Sequence, residues 1–426
     1  MNKFLFIVLG FMTALLSSCS DSLSETVTYK INEPVFMSTD AFRSSVKVSA
    51  ESTAITNYGK ICFYDGYLYI SESGKGIHII DNTNPADPKN IGFIELLGNA
   101  DLSIRNNLLY ADSYVDLVWF DVTTPSAPVL KGRLEDIFPK ALPVIDNNFG
   151  FDYAMCYDQN QDKGIVVGWE LRERTESIDN YTGGWYWGWG NAKDDLYTSV
   201  GETSSNSVNG SMSRFTLYAN KLYAVTENHM TIFDLSNEQP VKATESVYVG
   251  WNVETVFSYE DNLFMGTPTG MIIYSVTDPL KPEWQSSISH VYGCDPVVVD
   301  NDLAYVTVHS GNLCGQDSNQ LMIVDVSNVK VPKQVATFKM TSPKGVGVDN
   351  GMLFLCDAGL KIFTIETPAN LYLRSLKQYT GMAGYDLIPY NNTLMMIAED
   401  GLYQYDYTDV NNIKFLSKLP FAITAQ

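Results

Sequence analysis

Gly76-Ile77-His78-Ile79-Ile80-Asp81, running into Asn82-Thr83-Asn84-Pro85-Ala86-Asp87-Pro88, is a short apolar run, an acid and a proline-bracketed turn. The same pattern returns as Val115 to Asp121 with Pro125 and Pro128, as Met230 to Asp234, and as Gly270 to Ser275 with Pro279 and Pro282. It returns again as Gln320 to Asp325, Gly359 to Phe363 and Gly401 to Asp406. Ahead of most copies stands a polar turn and a Leu-Tyr-type run, as in Asp65-Gly66-Tyr67-Leu68-Tyr69-Ile70. Asp81 and Asp121 are 40 residues apart, Asp234 and Ser275 are 41 apart, and Asp325 and Asp406 are 81 apart. A period near 40 residues with about four strand signals per unit marks a propeller blade. One such unit cannot cover both faces of its sheet, so consecutive units must stack. The expected fold is therefore all-β, a β-propeller. Counting the degenerate copy Gly164-Ile165-Val166-Val167-Gly168-Trp169-Glu170 makes eight blades, and omitting it makes seven, the alternative.

The composition agrees. A chain of 426 residues exceeds what one ordinary core usually supports, and a closed repeat fold avoids that limit. Aromatic content is 12%, with 26 Tyr and 20 Phe, while charged content is only 18%. These values describe a folded, strand-rich chain. The formal net charge of −21 repels phosphate backbones and argues against nucleic-acid binding. Its simplest use is colloidal solubility.

The amino terminus carries Lys3, then an apolar stretch from Phe4 to Leu16 that is too short to span a bilayer comfortably. Leu16-Ser17-Ser18-Cys19 follows and resembles the bacterial lipobox. That resemblance implies a signal peptide over 1–18, lipidation of Cys19, and a Ser-rich tether over 19–29. Ser20-Asp21 does not favour inner-membrane retention, so the expected location is the outer membrane, with the periplasmic or cell-surface side left open. Residues 30–426 are expected to form a single propeller domain with an aromatic insert near 171–209. Pro34 to Met37 and Ser45 to Val48 are strand-like, and one of them is expected to pair with the end of the chain. Besides Cys19 there are five cysteines, an odd number that argues against a full disulfide framework. Cys62, Cys156 and Cys356 lie in apolar runs and read as buried thiols, while Cys294 and Cys314 lie in loops where a bridge is conceivable.

Leu321-Met322-Ile323-Val324-Asp325 and its sister runs resemble the LVIVD repeat, a β-propeller family, over about residues 58 to 410. Gly293-Cys294-Asp295-Pro296-Val297-Val298, with Ala304-Tyr305-Val306-Thr307, is similar to the version in lipid-anchored surface proteins of Bacteroidetes-type bacteria. The resemblance implies placement outside the cytoplasm and a role in adhesion or scaffolding. It implies no reaction and no catalytic residues.

Within a blade of four strands, the turn after the apolar run joins the third strand to the fourth. Its Asp and the Thr or Ser two residues on are expected to bond turn backbone. Any recognition is expected on the opposite face, where fourth-to-first and second-to-third connections converge on the axis. Arg214, Trp251, Glu254, Asp295, His309, Tyr385 and Asp386 are the candidate ligand-binding residues there, since aromatic faces with carboxylates suit a sugar or a peptide. The competing reading makes them channel-lining, water-bonded groups. Trp185, Trp187 and Trp189 alternate in the insert and form a candidate aromatic platform for a glycan, a partner or a membrane surface; otherwise they plug the propeller's side. Asp158 to Gly164 alternates oxygen-bearing side chains as calcium loops do, but its Gly and its acid are out of place, and a polar hairpin explains it better. With four His and no Cys/His spacing, no metal site or cofactor is expected. The leading reading is a non-catalytic binding or scaffold lipoprotein that presents its loop face to a protein or glycan. The alternative is a carbohydrate-active hydrolase or lyase using axial carboxylates such as Glu254 and Asp295.

Overall fold

A computed structural model of the chain describes residues 26–146, 148–156, 161–177, 207–226, 228–237, 239–250, 252–289, 296–309, 319–366 and 372–422. Seven antiparallel sheets, each with a set of consecutive strands at its centre, follow one another along the sequence. Blade 1 runs through Tyr58–Tyr64, Tyr67–Glu72, Gly76–Asp81 and Lys89–Glu95. The inner strands of blades 2 to 7 are Leu102–Arg105, Phe215–Tyr218, Thr255–Tyr259, Val297–Asp300, Pro343–Asp349 and Gly384–Tyr390. These inner strands touch their neighbours around a closed ring, with blade 7 against blade 1.

The blade count is seven. The degenerate copy is not a blade: Ile165–Ser177 pairs only with Thr26–Met37, in a two-stranded ribbon. The reason lies in what surrounds it. No strand-and-turn unit precedes it to supply an inner pair, and of its thirteen residues only Val166 is buried. The expected pairing of the early strands with the chain end is also wrong. Thr26–Met37 takes the ribbon position, and Lys47–Ser49 adds to the outer edge of blade 1 against Lys89–Glu95.

Period two governs the packing. Leu68, Ile70 and Ile80 of blade 1 point toward blade 7 and join Ile388, Met395 and Ile397. The intervening Tyr69, Ile77 and Ile79 point toward blade 2 and join Leu102, Ile104 and Leu109. Successive side chains of a strand face opposite sides, so each blade is apolar on both faces and the core is a set of slabs between blades. The first hairpin of a blade is a tight two-residue turn. Asp65-Gly66, Asn106-Asn107, Ala219-Asn220, Asn301-Asp302, Asn350-Gly351 and Asn391-Asn392 all hold positive φ at both positions. That geometry matches the strand twist and suits Asn, Asp and Gly.

The repeated acid behaves as a turn element. Asp81 accepts from Thr83 N and Oγ1 at 3.0 and 2.7 Å, and Asp325 accepts from Ser327 N and Oγ at 3.0 and 2.6 Å. Asp121, Asp234 and Asp406 repeat the arrangement. Bonds from the Thr or Ser hold these carboxyls below their ordinary range. The following backbone N–H reaches the first hairpin, Asn82 N to Gly66 O at 2.9 Å and Val122 N to Asn107 O at 2.8 Å, so both turns lie on one face. Among the described residues no helix is long and apolar enough to cross a membrane.

Candidate functional site

Counting back five positions from the first residue of each first-hairpin turn marks a matching place at or near the start of each inner strand. Those residues are Lys60, Asp101, Arg214, Thr255, Pro296, Gly345 and Asp386. Because blade 7 neighbours blade 1, the charges alternate around one arc: Asp386, Lys60, Asp101, Arg214. Lys60, Asp101 and Asp386 are buried. Burial pushes Asp386 up to about 8 and also raises Asp101, and the Lys60 charge opposes both shifts.

The axis beside this arc is filled by the chain itself. Between blades 2 and 3, residues Ser207 to Ser213 run along the inner edges of four blades. Val208 and Asn209 pair with Phe63 and Cys62 as a short strand inside blade 1. Gly210 N donates to Ile61 O at 2.9 Å, and Ser207 N donates to Ile104 O of blade 2 at 2.6 Å. Asn209 Nδ2 donates to Ser103 Oγ at 2.8 Å. Ser211 N and Oγ donate to Asp386 Oδ1 of blade 7 at 2.9 and 3.1 Å, while Ser211 Oγ accepts from Val346 N of blade 6 at 2.8 Å. Ser213 Oγ donates to Asp101 Oδ1 at 2.6 Å, and Arg214 N donates to Asp101 Oδ2. Gly210 lies flat on the Asp386 carboxyl, where a Cβ would stand 1.9 Å from Oδ2. Glycine is what this approach to the carboxyl admits.

A second set of acids ties down loops on the recognition face. Glu72, Asp112 and Asp357 stand at the ends of second strands and accept backbone N–H groups from the connection entering each blade. Glu72 accepts from Thr56 N and Asn57 N, each at 3.0 Å, and meets His78 Nε2 at 3.1 Å and Lys75 Nζ at 3.0 Å. Burial opposes its ionisation, yet the bonds from His78, Thr56 and Lys75 hold it well below the usual carboxylate range. Asp112 accepts from Ala100 N and Asp101 N at 2.7 and 2.9 Å, but burial prevails and pushes it up to about 7. Asp357 accepts from Thr341 N and Ser342 N at 3.0 and 2.6 Å and pairs with Lys361 Nζ at 2.6 Å.

The sequence candidates fall into three groups. Arg214 and Asp386 occupy equivalent places near the start of the inner strands of blades 3 and 7, where Asp386 is enclosed and engaged by Ser211. Tyr385 is half-buried beside it, edge-on to Tyr58 at 5.1 Å, with Lys344 Nζ 5.5 Å from its ring. Glu254 is nearly buried and accepts from Asn252 Nδ2 at 3.3 Å, and half-buried His309 ends the second strand of blade 5. Trp251, Asp295, Trp185, Trp187, Trp189 and Cys19 lie outside the described residues, as do Asp158 to Asn160, Cys294 and Cys314. Cys62, Cys156 and Cys356 are buried free thiols, and burial pushes Cys62 and Cys156 up to about 12. Lys60 and the axial run Ser207 to Ser213 escaped sequence reasoning. The constant five-residue offset from the hairpin turn is the signal that finds Lys60. Among the described residues no cluster of three or more His, Cys, Asp or Glu is disposed to hold a metal.

The model of the LVIVD repeat matches residues 59–94, 98–136 and 295–338. The chain carries LVIVD repeats. The three matched stretches correspond to blades 1, 2 and 5 of the propeller. No curated protein matches the chain in sequence. A solved structure of a protein from Lactobacillus plantarum is similar with a TM-score of 0.51 at 12% identity, over 86% of this chain and 97% of that one. That likeness concerns the fold. The computationally designed Ika8 protein follows with a TM-score of 0.49 at 9% identity, over 87% of this chain and 89% of that one. BamB from Moraxella catarrhalis has a TM-score of 0.45 at 9% identity, over 87% of this chain and 95% of that one.

Proposed function

We propose that this LVIVD-repeat propeller is a non-catalytic binding or scaffold module of the cell envelope, which presents the face bearing its fourth-to-first and second-to-third loops to a protein or glycan. The observation that carries this reading is the occupied axis. An enzyme of the expected kind needs facing carboxylates open to substrate. Asp101 and Asp386 are the buried axial acids whose pKa values are raised; Asp101 spends both oxygens on Ser213 Oγ and Arg214 N, and Asp386 spends Oδ1 on Ser211 of the same chain. With these acids engaged by the chain itself, the surface left for recognition is the loop rim that includes Tyr385, His309 and, by sequence, Trp251 and Asp295.

Lipidation of Cys19 would hold this module at the outer membrane. Thr26 pairs with Ser177 at the far end of the ribbon, so the chain toward Cys19 and the chain toward Trp185 leave from the same place. This supports a reading in which Trp185, Trp187 and Trp189 work near the anchor. Mass spectrometry of the mature amino terminus should find acylated Cys19, and Cys19→Ala should move the protein from membrane to soluble fraction. A mature, unmodified terminus elsewhere would remove the anchor. For recognition, the full chain in detergent should capture ligands on a glycan and peptide array, and Tyr385→Ala with His309→Ala should abolish that capture. Turnover of a polysaccharide panel that is lost in a Glu254→Ala, Asp295→Ala double variant would instead establish the enzyme reading.

A further inference from the structure

Blade 3 departs from the other blades at its rim. Its outer strand is broken into Val241–Lys242 and Val247–Tyr248. Between the pairs Phe233–Lys242 and Met230–Val247 the third strand advances three residues and the outer strand five. At the comparable place in blade 1, Ile79–Gly92 is followed by Ile80–Asn90, a single extra residue. The larger excursion in blade 3 leads into Tyr248 to Gly250, which face the third and fourth strands of blade 4. A cleft of about 350 Å³ opens there, within the usual size range of ligand pockets.

One wall of the cleft is Tyr248 to Gly250, and the other is the third and fourth strands of blade 4. Tyr248 and Trp284 are 61% and 59% exposed, large rings open to solvent on either side of the cleft. Tyr248 is not free to swing at random: its ring stands edge-on to His229 at 5.6 Å and 79°. Tyr274 lines the floor between them. Gly250 adopts φ +138, and a Cβ there would stand 2.8 Å from Ile272 Cδ1, so the wall is kept low by a glycine. Thr269, Ser287 and Ser289 supply hydroxyls, and among the described residues no charged side chain lines the cleft.

We propose that this cleft is a subsite for an uncharged sugar chain. Aromatic faces receive the apolar face of a pyranose ring, and hydroxyl groups satisfy its rim without asking for a counter-charge. A net charge of −21 disfavours acidic polysaccharides over the whole surface. A peptide would bring termini and side-chain charges that nothing in the cleft receives. The cleft adjoins the loop rim through Val249, Gly250 and the Thr267 to Gly270 turn, but it shares no lining residue with Tyr385 or His309, so the two readings are tested separately.

The test uses the full chain in detergent and isothermal calorimetry with cellohexaose, xylohexaose, mannohexaose and maltohexaose, with polygalacturonate as the acidic comparison. At least one neutral hexaose should bind with a sub-millimolar Kd. Trp284→Ala and Tyr248→Ala should each weaken it about tenfold or more, with an unchanged unfolding midpoint because both rings are exposed, and Trp284→Phe should keep most of the affinity. Tyr385→Ala and His309→Ala should leave this binding intact, so loss of array capture at the rim and loss of sugar in the cleft are separable. No binding of any neutral hexaose at millimolar concentration overturns the proposal. So does binding that both aromatic substitutions leave unchanged, or binding confined to the acidic polymer or to peptides.

Discussion

Gly210→Ala is the sharpest probe of the axial strand. The backbone at Gly210 is not in the left-handed region, so the substitution adds only a methyl group and no conformational strain of its own. That methyl would stand 1.9 Å from Asp386 Oδ2, 2.7 Å from its Cγ and 2.8 Å from Ile61 Cγ1. Relief requires a shift of about an ångström in a passage bounded by four blades. The bonds at stake are Gly210 N to Ile61 O and the two from Ser211 to Asp386. Net losses of about 1 kcal/mol for each of these three bonds, with 1–3 kcal/mol for forcing a methyl into a packed interior, give about 4–6 kcal/mol. Gly150→Ala is the matched comparison, because a Cβ there meets nothing within 4 Å. It should be neutral or slightly stabilising, by less than about 1 kcal/mol. Urea unfolding followed by tryptophan fluorescence would read the difference as a fall in midpoint of roughly 1.5 M at an m-value near 3 kcal/mol per M. If Gly210→Ala proves as stable as Gly150→Ala, the axial strand does not join the blades as described.

Two further outcomes follow from the carboxyl groups. Asp386 is raised from 3.8 to about 8 by burial, so between about pH 4 and pH 8 the unfolded chain has released a proton that the folded chain keeps. Stability therefore falls as pH rises through that window and levels off above it. Asp386→Asn keeps an acceptor for Ser211 and removes the titration, so its stability should decline less from pH 5 to pH 8.5 in the same urea assay; an identical decline would contradict the assignment. Asp325→Ala removes only the exposed turn bonds to Ser327, and should cost about 0.5–1 kcal/mol while leaving array capture untouched. Loss of capture in Asp325→Ala would place recognition on the face where none is expected.

Much of the fold was legible because a blade repeats. The apolar run, the acid and the proline turn announce the third strand and its exit, and Asn-Asn or Asp-Gly announces the first hairpin, so the ring could be expected from spacing alone. The eighth unit was a false copy. Gly164 to Glu170 has the apolar run of a third strand, but a run alone does not say what lies beside it, and here the neighbour is Thr26–Met37 from far away in sequence. The functional region was harder to read for a related reason. Asp386 stands in a loop-like Gly384-Tyr385-Asp386 stretch, as exposed binding residues do, and only the three-dimensional path of Ser207 to Ser213 encloses it. Nothing in a run of Ser, Val, Asn, Gly and Met distinguishes an axial strand from a surface connection. Its partners are 106 residues away at Ser103 and 175 residues away at Asp386, beyond the range of any periodic signal.

The position of that run in the chain has a consequence for how the molecule is made. A ribosome releases blades 1 and 2 and then Ser207 to Ser213 before the residues of blades 6 and 7 that bond to them exist. The axle is therefore laid down first and the wheel is assembled around it. A circular permutant that begins at blade 3 and ends with Ser207 to Ser213 would have to thread the same segment into a wheel already built, and contacts so distant in sequence form slowly. The natural order of synthesis spares the protein that step.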